Sequence, residues 1–267
     1  MSGEEMAGEL ASETSSSAAP PGPGTPSVGG YPSPLTPELV DLLNGVATAT
    51  LTAQLQRRGI RNTFFTGLRP IKPGQRLLGT AKTLRYVPMR EDLIPALQAG
   101  VNAQRRAVES IEVGQVLVIE ARNSTEAGTI GDVLSSRALA RGATGIITDG
   151  CVRDSAAVTK LDIPVYLRAS HAATLSRDHL PLDIDVPVAC AGVLVMPGDV
   201  IVGDDDGAML IPAALVEEVA RDAAEQELKD TWAFERVTAG ESTIGVFPIG
   251  ADRVNEYEIW KAARKPH

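Results

Sequence analysis

Two cysteines, Cys151 and Cys190, are too few in 267 residues for a disulfide framework. Neither stands in a CxxC pair or a Cys/His cluster, so a structural zinc is excluded and free, reduced thiols are expected. Positive charge is also short. Lys and Arg number 25 against 34 Asp and Glu, giving a net charge of -9. A phosphate backbone is bound by clustered cations that displace its counterions, so no nucleic-acid partner is expected. No apolar run approaches the roughly 20 residues that cross a bilayer, and no membrane partner is expected. The opening MSGEEMAGELASETSSS is acidic and polar where a secretory leader is basic and then apolar, which points to the cytoplasm. GxSxG, Walker, HExxH and GxGxxG signatures are all missing, and the three histidines are scattered. Serine hydrolases, nucleotide hydrolases, zincins and dinucleotide enzymes thereby lose their footing.

What the chain does have is enough apolar residue, 43%, to bury a sizeable core. Residues 1–34 are rich in Ser, Ala, Gly and Pro and are expected to be a disordered tail, because they bury too little to offset their ordering entropy. Thr36-Pro37-Glu38 supplies a cap, a proline at the first helical position and an early acid, so helix is expected from there to Leu43. A second helix is expected over Thr48 to Arg58, ending at Gly59. From Leu77 the pattern turns to short β-rich runs: LLGTAKTLRYV, QVLVIEA, GIITDG, IPVYLRA, VPVACAGVLV, DVIVGD and GAMLIP. Helices are expected between them at Asp92 to Arg105, Gly131 to Arg141 and Ala156 to Lys160, and a long amphipathic one at Ala213 to Arg236. The whole reads as an α/β domain over 35–236 with an N-terminal helical pair, a long C-terminal helix and a C-terminal extension at 237–267.

Chemistry concentrates in GTIGDVLSSRALARGATGIITDGCVRDSAAV. Gly131, Asp132, Val133 and Leu134 open a helix whose free amides and positive dipole end suit a carboxylate. The strand Gly145 to Thr148 delivers Arg153 and Asp154 to its carboxyl end, where α/β sheets place ligands. Asp154 offers a hard oxygen ligand and Arg153 a planar fork of donors, a pair able to hold a cation and an oxo acid together. The residues alone leave a plainer alternative open: Asp154 as the cap of the next helix and Arg153 as a surface partner of Asp149. Gly203-Asp204-Asp205-Asp206-Gly207 lacks the length and terminal glutamate of a calcium loop and reads as a turn, as does Met196-Pro197-Gly198-Asp199. His171 and His179 flank a helical-looking segment and find no second ligand at a metal spacing.

Three segments in order, Gly131-Asp132-Val133-Leu134, then GATGIITDGCVRD at 142–154, then VPVACAGVLVMPGDVIVGDDDGAMLIP at 186–212, resemble the RraA-like family of 4-hydroxy-4-methyl-2-oxoglutarate aldolases. The likeness covers roughly Pro37 to Arg236. It implies a swivelling β/β/α domain and a site between subunits of a homotrimer or homohexamer. It implies that Asp154 binds Mg2+ or Mn2+ and that Arg153 contacts the substrate carbonyl oxygen and stabilises an enolate. By the same likeness the amides of Gly131 to Leu134 hold the substrate carboxylate, and Asp132 holds a metal-coordinated water that can handle proton transfer. A glutamate of a neighbouring C-terminal helix completes the family's site, and the alignment falls between Glu225 and Glu227, leaning to Glu227. The implied activity is that of a metal-dependent carbon-carbon lyase: a class II pyruvate aldolase, an oxaloacetate decarboxylase, or both. The rival is a non-enzymatic regulator that binds a ribonuclease or another protein. The resemblance favours the enzyme, because family members that inhibit a ribonuclease lack the aspartate that stands here as Asp154. An oligomer is expected also because the stripe Leu215, Val219 and Leu228 needs a neighbour.

Overall fold

The computed structural model describes residues 34–95 and 100–264. The segment expected to be a disordered tail lies, but for Pro34, outside the described residues. Helices α1 (Pro37–Asn44) and α2 (Thr48–Arg57) form the expected pair; Thr36 Oγ1 accepts from the Leu39 amide and caps the first. Asp204, in the acidic turn, accepts from both the amide and the hydroxyl of Thr48 and so holds the start of the second.

Among the described residues the main sheet has eight strands. Strands β2 (Leu77–Pro88), β3 (Gln115–Glu120), β5 (Gly145–Thr148) and β7 (Val165–Leu167) run parallel side by side in chain order. Each connection carries a helix: α3 (Ala103–Glu109), α4 (Asp132–Ala140) and α5 (Ser155–Val158). These strands are buried without alternation because both faces are covered. At twelve residues, β2 is long enough to serve two antiparallel neighbours on its other side. Its first half pairs with β12 (Val200–Asp204), itself paired with β13 (Gly207–Ile211); its second half pairs with β9 (His179–Ile184), with a bulge between Arg85 and Tyr86. β1 (Arg69–Pro70) closes the far edge on β7.

One core lies between the sheet and α3, α4 and α5, and a second lies beneath the hairpin of β10 (Val188–Cys190) and β11 (Val193–Val195). A third packs α1 and α2 against β12, β13 and α6 (Val216–Thr238). A fourth, small cluster joins α6 to α7 (Val254–Ala263) through Trp232 and Tyr257.

Four expectations are corrected. The helix read over Asp92 to Arg105 is not one element: a turn at Glu91–Leu93 passes into helix at residues 94–95, residues 96–99 lie outside the described residues, residues 100–102 are not helical, and α3, which Asn102 caps, continues to Glu109. The segment between His171 and His179 is not helical beyond one turn at Leu175–Arg177, and His179 begins strand β9. The helix expected to run to Lys160 ends at Val158. The stripe Leu215, Val219 and Leu228 does not wait for another copy: Val219 is fully buried and Leu215 packs in the third core of the same chain, leaving only Leu228 on an open groove.

Candidate active site

A second, small parallel sheet positions the site. Its strands are β4 (Gly128–Ile130), β6 (Cys151–Val152) and β8 (Ala169–Ser170), with β6 in the middle. Because the three run in one direction, their carboxyl ends converge on one edge, as ligand-bearing ends do in parallel sheets. β4 leads into Gly131 and Asp132, β6 into Arg153 and Asp154, and β8 into His171. The ladder continues past the strands: the Arg153 amide donates to Ile130 O at 2.8 Å, and the His171 amide to Val152 O at 3.1 Å.

Behind this edge the support is dense. Thr129 Oγ1 donates to Cys151 O at 2.9 Å, while Tyr86 Oη and Gln104 Nε2 both donate to Thr129 O at 2.9 and 2.5 Å. Asp149, fully buried, accepts from the amides of Ala121, Asn123 and Ala191 and so ties the ends of β3 and β5 to the β10–β11 hairpin. A buried carboxylate with three amide donors is satisfied without a cationic partner.

The plainer alternative for the Arg-Asp pair does not hold. Asp154 occupies the position before α5, but at φ 54° and ψ 37°, and its side chain makes no capping bond. Asp149 is consumed by backbone amides, and Arg153 donates from Nε to Ala172 O at 3.1 Å instead. Two glycines make room for the pair. A Cβ at Gly128 would stand 2.1 Å from Arg153 Cγ, and one at Gly131 would stand 2.8 Å from Asp154 Oδ2.

Two clefts meet at this ridge. One, of about 460 Å3, is lined by Gly131, Asp132, Val133 and Leu134 together with Gln104 and Leu175; the other, of about 730 Å3, by Ser155, Ser170 and His171; Asp132, Arg153 and Asp154 line both. The first three amides of α4 have no partner inside their own helix. Asp132 Oδ1 accepts from one of them, that of Val133, at 2.7 Å, and Val133 itself is exposed.

The donor set suits a hard divalent cation. Magnesium keeps most of its waters and takes one or two protein carboxylates plus substrate oxygens; Asp154 supplies one, and Asp132 lines the same two clefts, where it can hold a water of the cation. No cluster of three or more His, Cys, Asp or Glu exists among the described residues, so a protein cage for zinc or calcium is not formed. Cys151 and Cys190 are buried, and burial pushes both thiols up, away from nucleophilic thiolate. The acidic Asp204 to Gly207 segment is the β12–β13 turn. Asp199 accepts from Met196 N and also reaches Ala213 N.

Glu225 and Glu227 lie on α6. Glu225 accepts from Tyr257 Oη and Lys261 Nζ, whereas Glu227 accepts from the Ala47 amide beside an open groove. The residue that sequence reasoning missed is His171. Its signal was its place directly after the β-rich run IPVYLRAS, the same relation that Arg153 and Asp154 bear to GIITDGCV.

A family model described as aldolase/RraA, RraA-like, matches residues 36–210. A Halalkalibacterium halodurans protein named "Putative 4-hydroxy-4-methyl-2-oxoglutarate aldolase" is 30% identical over 173 residues, 64% of this chain and 76% of its own length. An Ectopseudomonas mendocina protein of the same name is 33% identical over 102 residues, 38% of this chain and 62% of its own. Among solved structures, Streptomyces coelicolor RraAS2, described as an unusual member of the RNase ES inhibitor RraA protein family, superposes with a TM-score of 0.68 at 34% identity, covering 76% of this chain and 98% of that one. An uncharacterised Pseudomonas syringae protein shares the fold with a TM-score of 0.70 at 24% identity, over 80% of this chain and 98% of its own.

Proposed function

Because the chain belongs to the RraA-like family, we propose that it is a divalent-cation-dependent carbon-carbon lyase that cleaves small 2-oxo acids to pyruvate. The observation that carries this reading is the Asp154 carboxylate, held in a left-handed backbone conformation without capping its helix and facing both clefts beside Arg153. Asp154, with Asp132 behind it, would hold Mg2+ or Mn2+, which when bound supplies Lewis-acid stabilisation of negative charge on the substrate.

The chain's own residues do the rest. The free amides at the start of α4 bind the carboxylate of the pyruvate half. The Arg153 guanidinium, anchored at Ala172 O, donates to the 2-oxo oxygen. In retro-aldol cleavage a proton leaves the C4 hydroxyl, the C3–C4 bond breaks, and its electron pair passes into the 2-oxo group as pyruvate enolate. Arg153 is placed to offset the charge that develops on that oxygen. Loss of carbon dioxide from oxaloacetate generates the same enolate, so one site serves both reactions. Asp132 is the carboxylate placed to take up and return the proton, through water. The reading extends to a trimer or hexamer in which Glu227 of a neighbouring subunit reaches the site.

The rival, a regulator that binds a ribonuclease, draws on the description of the Streptomyces structure. Pyruvate release over a panel of 4-hydroxy-2-oxo acids and oxaloacetate, with and without chelator, decides between them. Chelator-sensitive release from at least one substrate is expected; none from any would favour the regulator.

A further inference from the structure

We propose that His171 is a specificity-determining residue of this site, donating from Nε2 to a carboxylate on the half of the 2-oxo acid that departs. The inference rests on the lyase reading above and adds to it the residue that would read the second carboxylate of substrates such as the one its relatives are named for.

Three observations carry it. His171 stands at the carboxyl end of β8 as Asp132 and Arg153 stand at the ends of β4 and β6, so the small sheet presents it on the same edge. Its ring lines the larger cleft, whereas the amides assigned to the pyruvate carboxylate line the smaller one, and only Asp132, Arg153 and Asp154 are common to the two. A substrate that straddles the Arg-Asp ridge therefore puts its pyruvate half on the α4 side and its departing half beside His171. Apart from those three shared residues, the larger cleft is lined by alanines, serines and Val152, so His171 is the one remaining side chain there with a nitrogen donor.

The third observation fixes which nitrogen donates. The Ala173 amide donates to His171 Nδ1 at 3.0 Å, which makes Nδ1 the acceptor and leaves the proton of the neutral ring on Nε2. The imidazole thus presents a directed N–H at Nε2, and its backbone is pinned by the bond from its amide to Val152 O.

The test uses two substitutions with opposite geometry. His171→Asn keeps a side-chain oxygen able to accept the Ala173 amide two residues on, an arrangement asparagine favours in turns, but deletes the distal donor. His171→Gln extends an amide N–H to the position of Nε2. The expected result is that His171→Asn lowers kcat/KM for 4-hydroxy-4-methyl-2-oxoglutarate by about tenfold or more. The same variant should leave 4-hydroxy-2-oxopentanoate, which lacks the distal carboxylate, within about twofold, and His171→Gln should recover part of the loss. Exchange of the pyruvate methyl protons for deuterium, which requires only the enolate half, should match the wild type. Calorimetric affinity for oxalate, a mimic of the enolate half, should also be unchanged. Nitrogen-15 NMR on a chain with three histidines should show His171 as the Nε2-protonated tautomer.

Equal loss on both substrates, or none on either, would overturn the specificity role, as would an Nδ1-protonated ring. A wild type that neither exchanges pyruvate protons nor cleaves any substrate overturns the lyase reading itself, and that failure is seen before any variant is made.

Discussion

Asp154 adopts a backbone conformation that costs a residue with a Cβ about 1 kcal/mol or more, and no capping bond offsets it. The strain points to a carboxylate held for a ligand. Asp154→Asn keeps shape and tolerance of the left-handed region but removes the charge. Manganese affinity by calorimetry should fall at least about tenfold while the melting temperature stays within a few degrees. Arg153→Lys should do the reverse, leaving manganese affinity intact and lowering kcat by about tenfold or more, because a point charge replaces a planar fork. His179 sets a different test. It is buried against Tyr86, and burial pushes its imidazole below the usual histidine range although Asp178 opposes the shift. The folded chain thus excludes a proton that the unfolded chain accepts. Its contribution to stability is complete above the ordinary histidine pKa near 6.5 and is lost as the pH falls below it, by at most about 1.4 kcal/mol per unit. Denaturant titrations between pH 7 and 5 should show this slope, and His179→Gln should flatten it. Arg153, Asp154 and the Gly131 to Leu134 amides were legible in the sequence because each group is contiguous and sits at a recognisable strand or helix boundary. His171 was not. It follows a two-residue strand, too short to show a period, and Asp132, Arg153 and Asp154, which share its cleft, are 17 or more positions away.

The long elements were legible for a simple reason: β3, β5 and β7 are nearly continuous apolar runs, β2 is rich in apolar and β-branched residues, and α6 carries its apolar stripe over six turns. Strand β9 escaped because Pro181 interrupts its pattern. That proline is tolerated where β9 meets β2 at the bulge, since β9 pairs on one side only. The three-stranded sheet escaped because pairing between distant short segments leaves no local trace. Its integrity depends on the connector after β5, and Asp149 governs that connector. Asp149→Asn turns one acceptor oxygen into a donor facing amides, and should cost about 2–3 kcal/mol in a urea titration. At the other end of the chain, Trp232 is fully buried under Tyr257, with Arg236 4.1 Å from its ring centroid. The residues after 237 therefore supply core, not only extension. Trp232→Ala should destabilise by about 3–5 kcal/mol and loosen α7, which hydrogen exchange of its amides would register.

At the scale of the molecule, α1, α2 and the first half of α6 satisfy one another within the chain. Of the eleven large apolar side chains left exposed among the described residues, six fall after residue 233: Phe234, Val237, Ile244, Phe247, Val254 and Ile259. A trimer or hexamer is expected to use this end. Light scattering at micromolar concentration should give a multiple of the chain mass, and Phe234→Asp with Phe247→Asp should lower it; a monomeric wild type would defeat the expectation. The glycines beneath the active ridge carry a consequence of another kind. Gly128 and Gly131 serve the site by the atoms they lack, since Arg153 and Asp154 lie where a methyl group would be. Replacing Gly131 by alanine takes one nucleotide, and the nearest atoms its methyl would meet belong to Asp154 and Arg153. On the proposed lyase reading, the chemistry of this fold is therefore exposed to a single mutational step at a position that belongs to none of its large cores.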